Sequence, residues 1–318
     1  MLLLLHFSFA GANITWLISR TPFLHWLPKS IGGVSLGVST MLLTFLDTKM
    51  EVPLPYSPFH IFFVLASIIA GFAISHRVDH DAAFIRRFLL HTSLLIIVLE
   101  IYKQINFSFR VEEGHIVFDY QWYAFPFQFC STPMYIGLIA AVTKREALHR
   151  RLCAYLASYS LFAGISVMAY PVSVFTDTVG INIQTMVWHG GMIAMGIALL
   201  RTGYVRANMK TVLDAFPVFL TLIFAAAGMN ELAHLSGLLE RETFNMFFIS
   251  PYCEPSLPVY SLIQPLVSYP VSVLIYIAGF TAAAAIILML ARLLHIGAPK
   301  SHRPLGASKL RLVHTAHS

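Results

Sequence analysis

The chain is organised by apolar runs, each about as long as a lipid bilayer is thick. Reading from the middle outward, seven lie near 58–75, 86–105, 122–142, 152–169, 184–201, 211–235 and 262–294. A helix needs about 20 mostly apolar residues to cross a hydrocarbon core. A soluble fold would have to cover its surface with charge. Here only 11% of the 318 residues are Asp, Glu, Lys or Arg, while 57% are apolar, against about 25% charged in soluble domains. Richness in Phe, Tyr and Ile excludes disorder, and three cysteines are too few for a disulfide scaffold of this length. No run alternates as a barrel strand must, so the spanning elements are helices. The expected fold is an all-α, polytopic transmembrane helix bundle.

The basic residues report orientation rather than a nucleic-acid partner. One set of alternate loops, with the C-terminal tail, holds Arg77, Arg86, Arg87, Lys144, Arg145, Arg150, Arg151, Arg201, Arg206, Lys210, Arg292, Lys300, Arg303, Lys309 and Arg311. The opposite set holds Lys103, Arg110 and Arg241. Cytoplasmic loops carry the Lys and Arg excess, so the first set and the C-terminus are expected inside and the N-terminus outside. Residues 1–18 lack a basic leader region and a small-residue cleavage site, which argues against a cleaved signal peptide. With the run 31–47 they form an N-terminal hydrophobic hairpin over 1–50, either two extra spans or an interfacial element. The expected organisation is that hairpin, a seven-helix core over 51–295 and a basic tail over 296–318, giving seven to nine spans.

Ionisable residues inside lipid are costly and point to function. Once directions are assigned, Glu100, Gln128, Cys130, His189, Asn230, Glu231 and His234 fall in one layer towards the outer face, supplied by four helices. The cysteine segment reads Phe125-Pro126-Phe127-Gln128-Phe129-Cys130-Ser131-Thr132-Pro133. A proline removes a backbone donor and crowds the carbonyl four residues back. Pro133 is therefore expected to loosen the carbonyl of Phe129 and open the helix around the thiol. The bland alternatives are a small apolar filler at Cys130 and packing or headgroup roles for the others. No CxxC, HExxH, P-loop or GxGxxG occurs, and a single Glu231-x-x-His234 spacing is half of a di-iron motif, so neither metal nor cofactor is expected.

Several segments together resemble the YwaF-like integral membrane family, which includes the transmembrane protein 164 type. Phe125–Cys130 resembles its cysteine helix, Leu99-Glu100-Ile101-Tyr102-Lys103-Gln104 its glutamate segment, Trp188-His189-Gly190-Gly191 its histidine helix, and Asn245-Met246-Phe247-Phe248 with Pro251 and Pro255 its outer loop. The resemblance spans roughly 57–290. Gln128 stands where bacterial relatives often carry histidine, and Gly228-Met229-Asn230 matches the family's glycine-asparagine-tyrosine pattern only in part. The resemblance implies a membrane acyltransferase acting on phospholipids and lysophospholipids, with Cys130 as nucleophile and His189 as base. The thiolate is the nucleophile and a histidine takes its proton. Oxyanion donors would come from Gln128, Ser131, Thr132 or a freed backbone N–H, and Glu100 or Glu231 would orient His189. Competing readings are a small-solute or lipid transporter using the same polar layer, a redox protein pairing Cys130 with Cys253, and a structural protein.

Overall fold

A computed structural model of the chain describes residues 33–76, 82–237, 243–254 and 257–296. The run 1–18 with Arg20 and Lys29, the loop residue Arg77, Arg241 and the tail from 297 lie outside the described residues. The helices are α1 (Gly33–Leu46), α2 (Pro58–His76), α3 (Ala82–Asn106), α4 (Thr132–Val142), α5 (Glu146–Tyr155), α6 (Leu161–Ala169), α7 (Val179–Arg201), α8 (Met209–Ser236), α9 (Tyr260–Ile263) and α10 (Tyr269–Leu293). The second N-terminal run is helical as α1. Among the described residues, six helices are long and apolar enough to cross a membrane: α2, α3, the continuous rod Glu146–Ala169 made by α5 and α6, α7, α8 and α10. The protein is thus a multi-pass helical membrane protein. Between α3 and α4 an antiparallel hairpin pairs β1 (Phe109–Glu112) with β2 (His115–Phe118), and Arg110 pairs with Asp119 at its base.

α7 is the axis of the bundle. In its most apolar window 83% of residues are buried, against 22% for α2 and 17% for α10. The peripheral helices instead show apolar side chains outward, as a lipid-facing surface requires. Between membrane helices, close approach depends on small residues. α2 meets α7 where Gly190 lies under the Ser67 hydroxyl and Gly71 lies against Ile197 and Ala194. A Cβ at Gly71 would sit 2.9 Å from the Ile197 Cβ, so the crossing admits no larger residue without separating the helices. The rod of α5 and α6 contains a π-helical turn at Leu156–Ser160, a local widening often found at functional sites. α8 starts at Asn208, whose side chain accepts the Thr211 N–H at 3.1 Å, and stops at Gly237, whose φ of 62° suits glycine.

The third apolar run departs from the expected helix over 122–142. It consists of a 3-10 turn at Trp122–Ala124, an irregular stretch, and only then α4 from Thr132. Pro133 sits in the first turn of α4, where a missing N–H costs nothing. It starts a helix and does not open one. The Phe129 carbonyl is taken by the Thr132 hydroxyl at 2.9 Å. Cys130 therefore lies in a turn just before a helix N-terminus, outside any helix. The seventh run divides as well, into α9, a 3-10 turn at Gln264–Leu266 and α10.

Candidate functional site

The turn bearing Cys130 is held on three sides. Ser131 N–H and Thr132 N–H both donate to the Gln128 carbonyl, at 2.8 and 3.3 Å. The indole N–H of Trp188 on α7 donates to the Cys130 carbonyl at 2.8 Å. The Thr132 hydroxyl shares a 2.8 Å hydrogen bond with Tyr155 OH on α5. These contacts leave the sulfur half-buried and all three cysteines free, so no disulfide joins Cys130 to Cys253. The sulfur interacts with its own backbone N–H and with the Ser131 side chain.

His189 follows Trp188 directly and is 4% exposed. Its Nδ1 lies 2.7 Å from the Thr185 carbonyl one turn earlier. A carbonyl only accepts, so Nδ1 carries the proton and Nε2 the lone pair. Nε2 is buried and has no hydrogen-bond partner. Leaving such a group unsatisfied costs about 1–3 kcal/mol. No hydrogen bond joins Nε2 to the Cys130 sulfur in this state. Neither Glu100 nor Glu231 bonds His189, so the expected carboxylate support is replaced by the Thr185 backbone. That arrangement is set by i, i+4 spacing on one helix.

A polar chain approaches from α3. Tyr120 OH donates to Gln104 Oε1 at 2.8 Å. Gln104 Nε2 donates to Glu100 Oε1 at 2.6 Å and to the Ala124 carbonyl at 2.9 Å. Burial pushes the Tyr120 phenol up to about 12, helped by the Glu100 carboxylate, so it remains a donor at neutral pH. Lys103 Nζ sits 2.9 Å from Glu100 Oε1 and 5.8 Å from the centre of the Trp188 ring. Glu100 is 5% exposed, and its second oxygen is unpartnered. In the sequence Lys103 stands out as one of the few basic residues of the outer set. Its link to Trp188 depends on how α3 and α7 are rotated, which spacing does not give.

The remaining expected site residues go elsewhere. Gln128 is spent on the outer loop: its Nε2 donates to the Asn245 carbonyl at 3.1 Å and its Oε1 accepts Phe247 N–H at 3.2 Å. Asn230 grips the same loop, accepting Met246 N–H at 2.8 Å and donating to the Met246 carbonyl at 3.0 Å. Glu231 accepts from Tyr252 OH at 2.7 Å, and His234 stacks on the Tyr252 ring at 3.5 Å. These four build the loop that roofs the site. Gln128 is thereby engaged by the loop, and Thr132 by Phe129 and Tyr155. Ser131 remains beside the sulfur.

A second thiol and imidazole meet at the arginine-rich end. Cys153 Sγ is 3.5 Å from His149 Nε2, an i, i+4 pair that its spacing announces. Both His149 nitrogens are in use, Nδ1 at 2.7 Å from the Ala140 carbonyl and Nε2 at 2.6 Å from Tyr204 OH. Beside it Arg86 donates to the Ala140, Ala141 and Thr143 carbonyls at 3.2, 3.4 and 2.6 Å and pairs with Glu146 at 2.7 Å. Arg86 and His149 together cap the orphan carbonyls that end α4. His60 is likewise satisfied, with Nδ1 accepting Tyr56 N–H and Nε2 near the Met168 carbonyl, both at 2.9 Å. Of these three buried histidines only His189 keeps an idle lone pair.

Two cavities flank the site without including Cys130 or His189. A groove of about 440 Å³ runs between α3 and α4, walled by Ile97, Ile101, Met134, Tyr135 and Leu138 with Glu100 and Gln104 at its head. A pocket of about 420 Å³ lies under the outer loop between Tyr252, Cys253, Glu254, Gln264 and Tyr269. Among the described residues no group of His, Cys, Asp and Glu is arranged to hold a metal ion.

The model of the TMEM164 family fits residues 52–291, close to the 57–290 that the quoted segments cover. No curated protein and no solved structure matches.

Proposed function

The chain belongs to the TMEM164 family, and from that membership we propose that it is a membrane acyltransferase moving a fatty acyl chain between glycerophospholipids through Cys130 and His189. The observation that carries this reading is the idle Nε2 of His189, a buried neutral base fixed in its tautomer by Thr185. It adjoins the residue that grips the Cys130 backbone.

In the proposed reaction, lipid entry brings the Cys130 thiol onto Nε2, consistent with catalytic hydrogen bonds that tighten only in the complex. Nε2 takes the thiol proton and the thiolate attacks the ester carbonyl of a donor phospholipid. The tetrahedral intermediate collapses, the C–O bond breaks, and the imidazolium returns its proton to the lysophospholipid oxygen. This leaves an acyl thioester on Cys130. The hydroxyl of a second lysophospholipid then gives its proton to Nε2 and attacks the thioester. The C–S bond breaks and the protonated imidazole restores the thiol. The groove between α3 and α4 suits the acyl chain. Its walls are apolar, its volume lies in the usual range for small-ligand sites, and its polar head is the Glu100–Gln104 pair. The Lys and Arg bias of the loops supports a site in the outer third of the membrane, the depth of glycerol esters.

The test is acyl transfer by purified protein in lipid, wild type against Cys130→Ala and His189→Ala. Each variant is expected to lose transfer while remaining folded, since losing one member of a nucleophile–base pair disables the unit. Normal turnover in Cys130→Ala would remove covalent catalysis and leave the transporter reading.

A further inference from the structure

We infer that the phenol of Tyr276 is a catalytic oxyanion donor, hydrogen-bonding the ester oxygen as negative charge develops on it during attack by Cys130. The inference rests on the acyl-transfer reading above and deepens it.

A tetrahedral intermediate needs donors already aimed at its oxygen. The side chains named from the sequence are mostly engaged, Gln128 by the outer loop and Thr132 by Phe129 and Tyr155. Tyr276, on α10, is 2% exposed, and its hydroxyl has no hydrogen-bond partner. A buried Tyr O–H ordinarily finds one, so the position keeps a donor in reserve at a cost to stability.

Its ring is fixed by two aromatic contacts. It stacks on Phe280 with centroids 4.2 Å apart and planes at 20°. It meets Tyr260 edge-on at 5.4 Å. Phe280 in turn meets Phe129 edge-on at 5.0 Å, and Phe129 is the residue before Cys130. The hydroxyl lies within electrostatic reach of the Cys130 sulfur and of Tyr155 OH. Neighbouring hydroxyls do not compete for the role. Tyr155 is bonded to Thr132, and Tyr260 OH donates to Ser272 Oγ at 3.3 Å. The sulfur, the idle base and an idle O–H thus come from the turn before α4, from α7 and from α10.

The step balances simply. As the thiolate adds to the ester carbonyl, the C=O π pair moves onto oxygen, and the Tyr276 O–H donates a hydrogen bond without transferring its proton. When the C–O bond breaks and the carbonyl reforms, that hydrogen bond relaxes. The same sequence recurs when the thioester is attacked.

Tyr276→Phe is the test, with three measurements on protein in lipid. Acyl transfer is expected to fall about 100-fold to 1000-fold, as when one oxyanion donor is removed. Alkylation of Cys130 by iodoacetamide, read at the peptide level by mass spectrometry, is expected to stay unchanged, because displacement at a saturated carbon develops no oxyanion. The melting temperature is expected to stay or rise, because an unpartnered buried hydroxyl is removed. Transfer within threefold of wild type overturns the assignment. So does a fall in melting temperature large enough to explain lost activity, since the hydroxyl would then be structural. Failure of the Cys130 reading looks different, because Cys130→Ala would then transfer acyl chains as well as wild type does.

Discussion

The indole N–H of Trp188 donates to the backbone carbonyl of Cys130 at 2.8 Å. A single helix therefore carries both the side chain that fixes the cysteine turn and, one residue later, His189 with its unpartnered Nε2. Any displacement of α7 moves both together.

Trp188→Phe keeps most of the ring and removes the N–H. Loss of this hydrogen bond should lower stability by about 1–2 kcal/mol, a small shift in melting temperature. Acyl transfer should fall at least tenfold, because misplacing reacting groups by about 1 Å can cost 100-fold. Transfer assays beside thermal melts separate the two effects, and unaltered transfer would show that the turn is positioned without Trp188.

The two cysteine–histidine pairs should respond in opposite ways. His149→Ala strips partners from the Ala140 carbonyl and from Tyr204 OH and leaves a cavity, a loss of about 2–3 kcal/mol. Transfer per folded molecule should persist. His189→Ala loses only a 3.3 Å contact to the Thr185 hydroxyl among side chains, so it should lower the melt no more than His149→Ala does while abolishing transfer. Inactivity of well-folded His149→Ala would move the chemistry to the arginine-rich end.

Much of this arrangement was legible in the sequence. Apolar run length gave the helical membrane class and located α2, α3, α7 and α8 to within a few residues. The segments around Cys130 and His189 pointed to the family. The state of the backbone at Cys130 was not legible, because an apolar stretch with two prolines reads equally well as a kinked helix or as a turn leading into a short one. Depth puts Gln128 and Asn230 in the polar layer without showing what they bond. Their bonds to Met246, Phe247 and Asn245 depend on a loop whose return path has no periodic signal. The link between His149 and Cys153 was available from i, i+4 spacing.

The groove between α3 and α4 offers a selectivity test. Leu138→Trp fills part of its wall, leaving Cys130 and His189 untouched. Transfer from long-chain donors should fall about tenfold relative to short-chain donors, the discrimination expected when a hydrophobic pocket gains or loses a few methylenes. Competition assays with mixed donors report the ratio directly. An unchanged ratio would place the acyl chain elsewhere.

The capped end of α4 gives that helix one more property. Arg86 and His149 hold its last carbonyls at the arginine-rich end, and eleven residues lie between that end and the turn bearing Cys130. At about 1.5 Å per residue the thiol stands roughly 17 Å above its anchor. α4 is a ruler. Its length sets the depth at which the sulfur meets the bilayer, and its phase sets the direction the turn faces. One inserted residue would raise the thiol by about 1.5 Å and swing it by about 100° about the helix axis. Four would restore the heading but lift it about 6 Å. Depth and heading are tied to one number, so the span is held short even though a bilayer would admit a longer one.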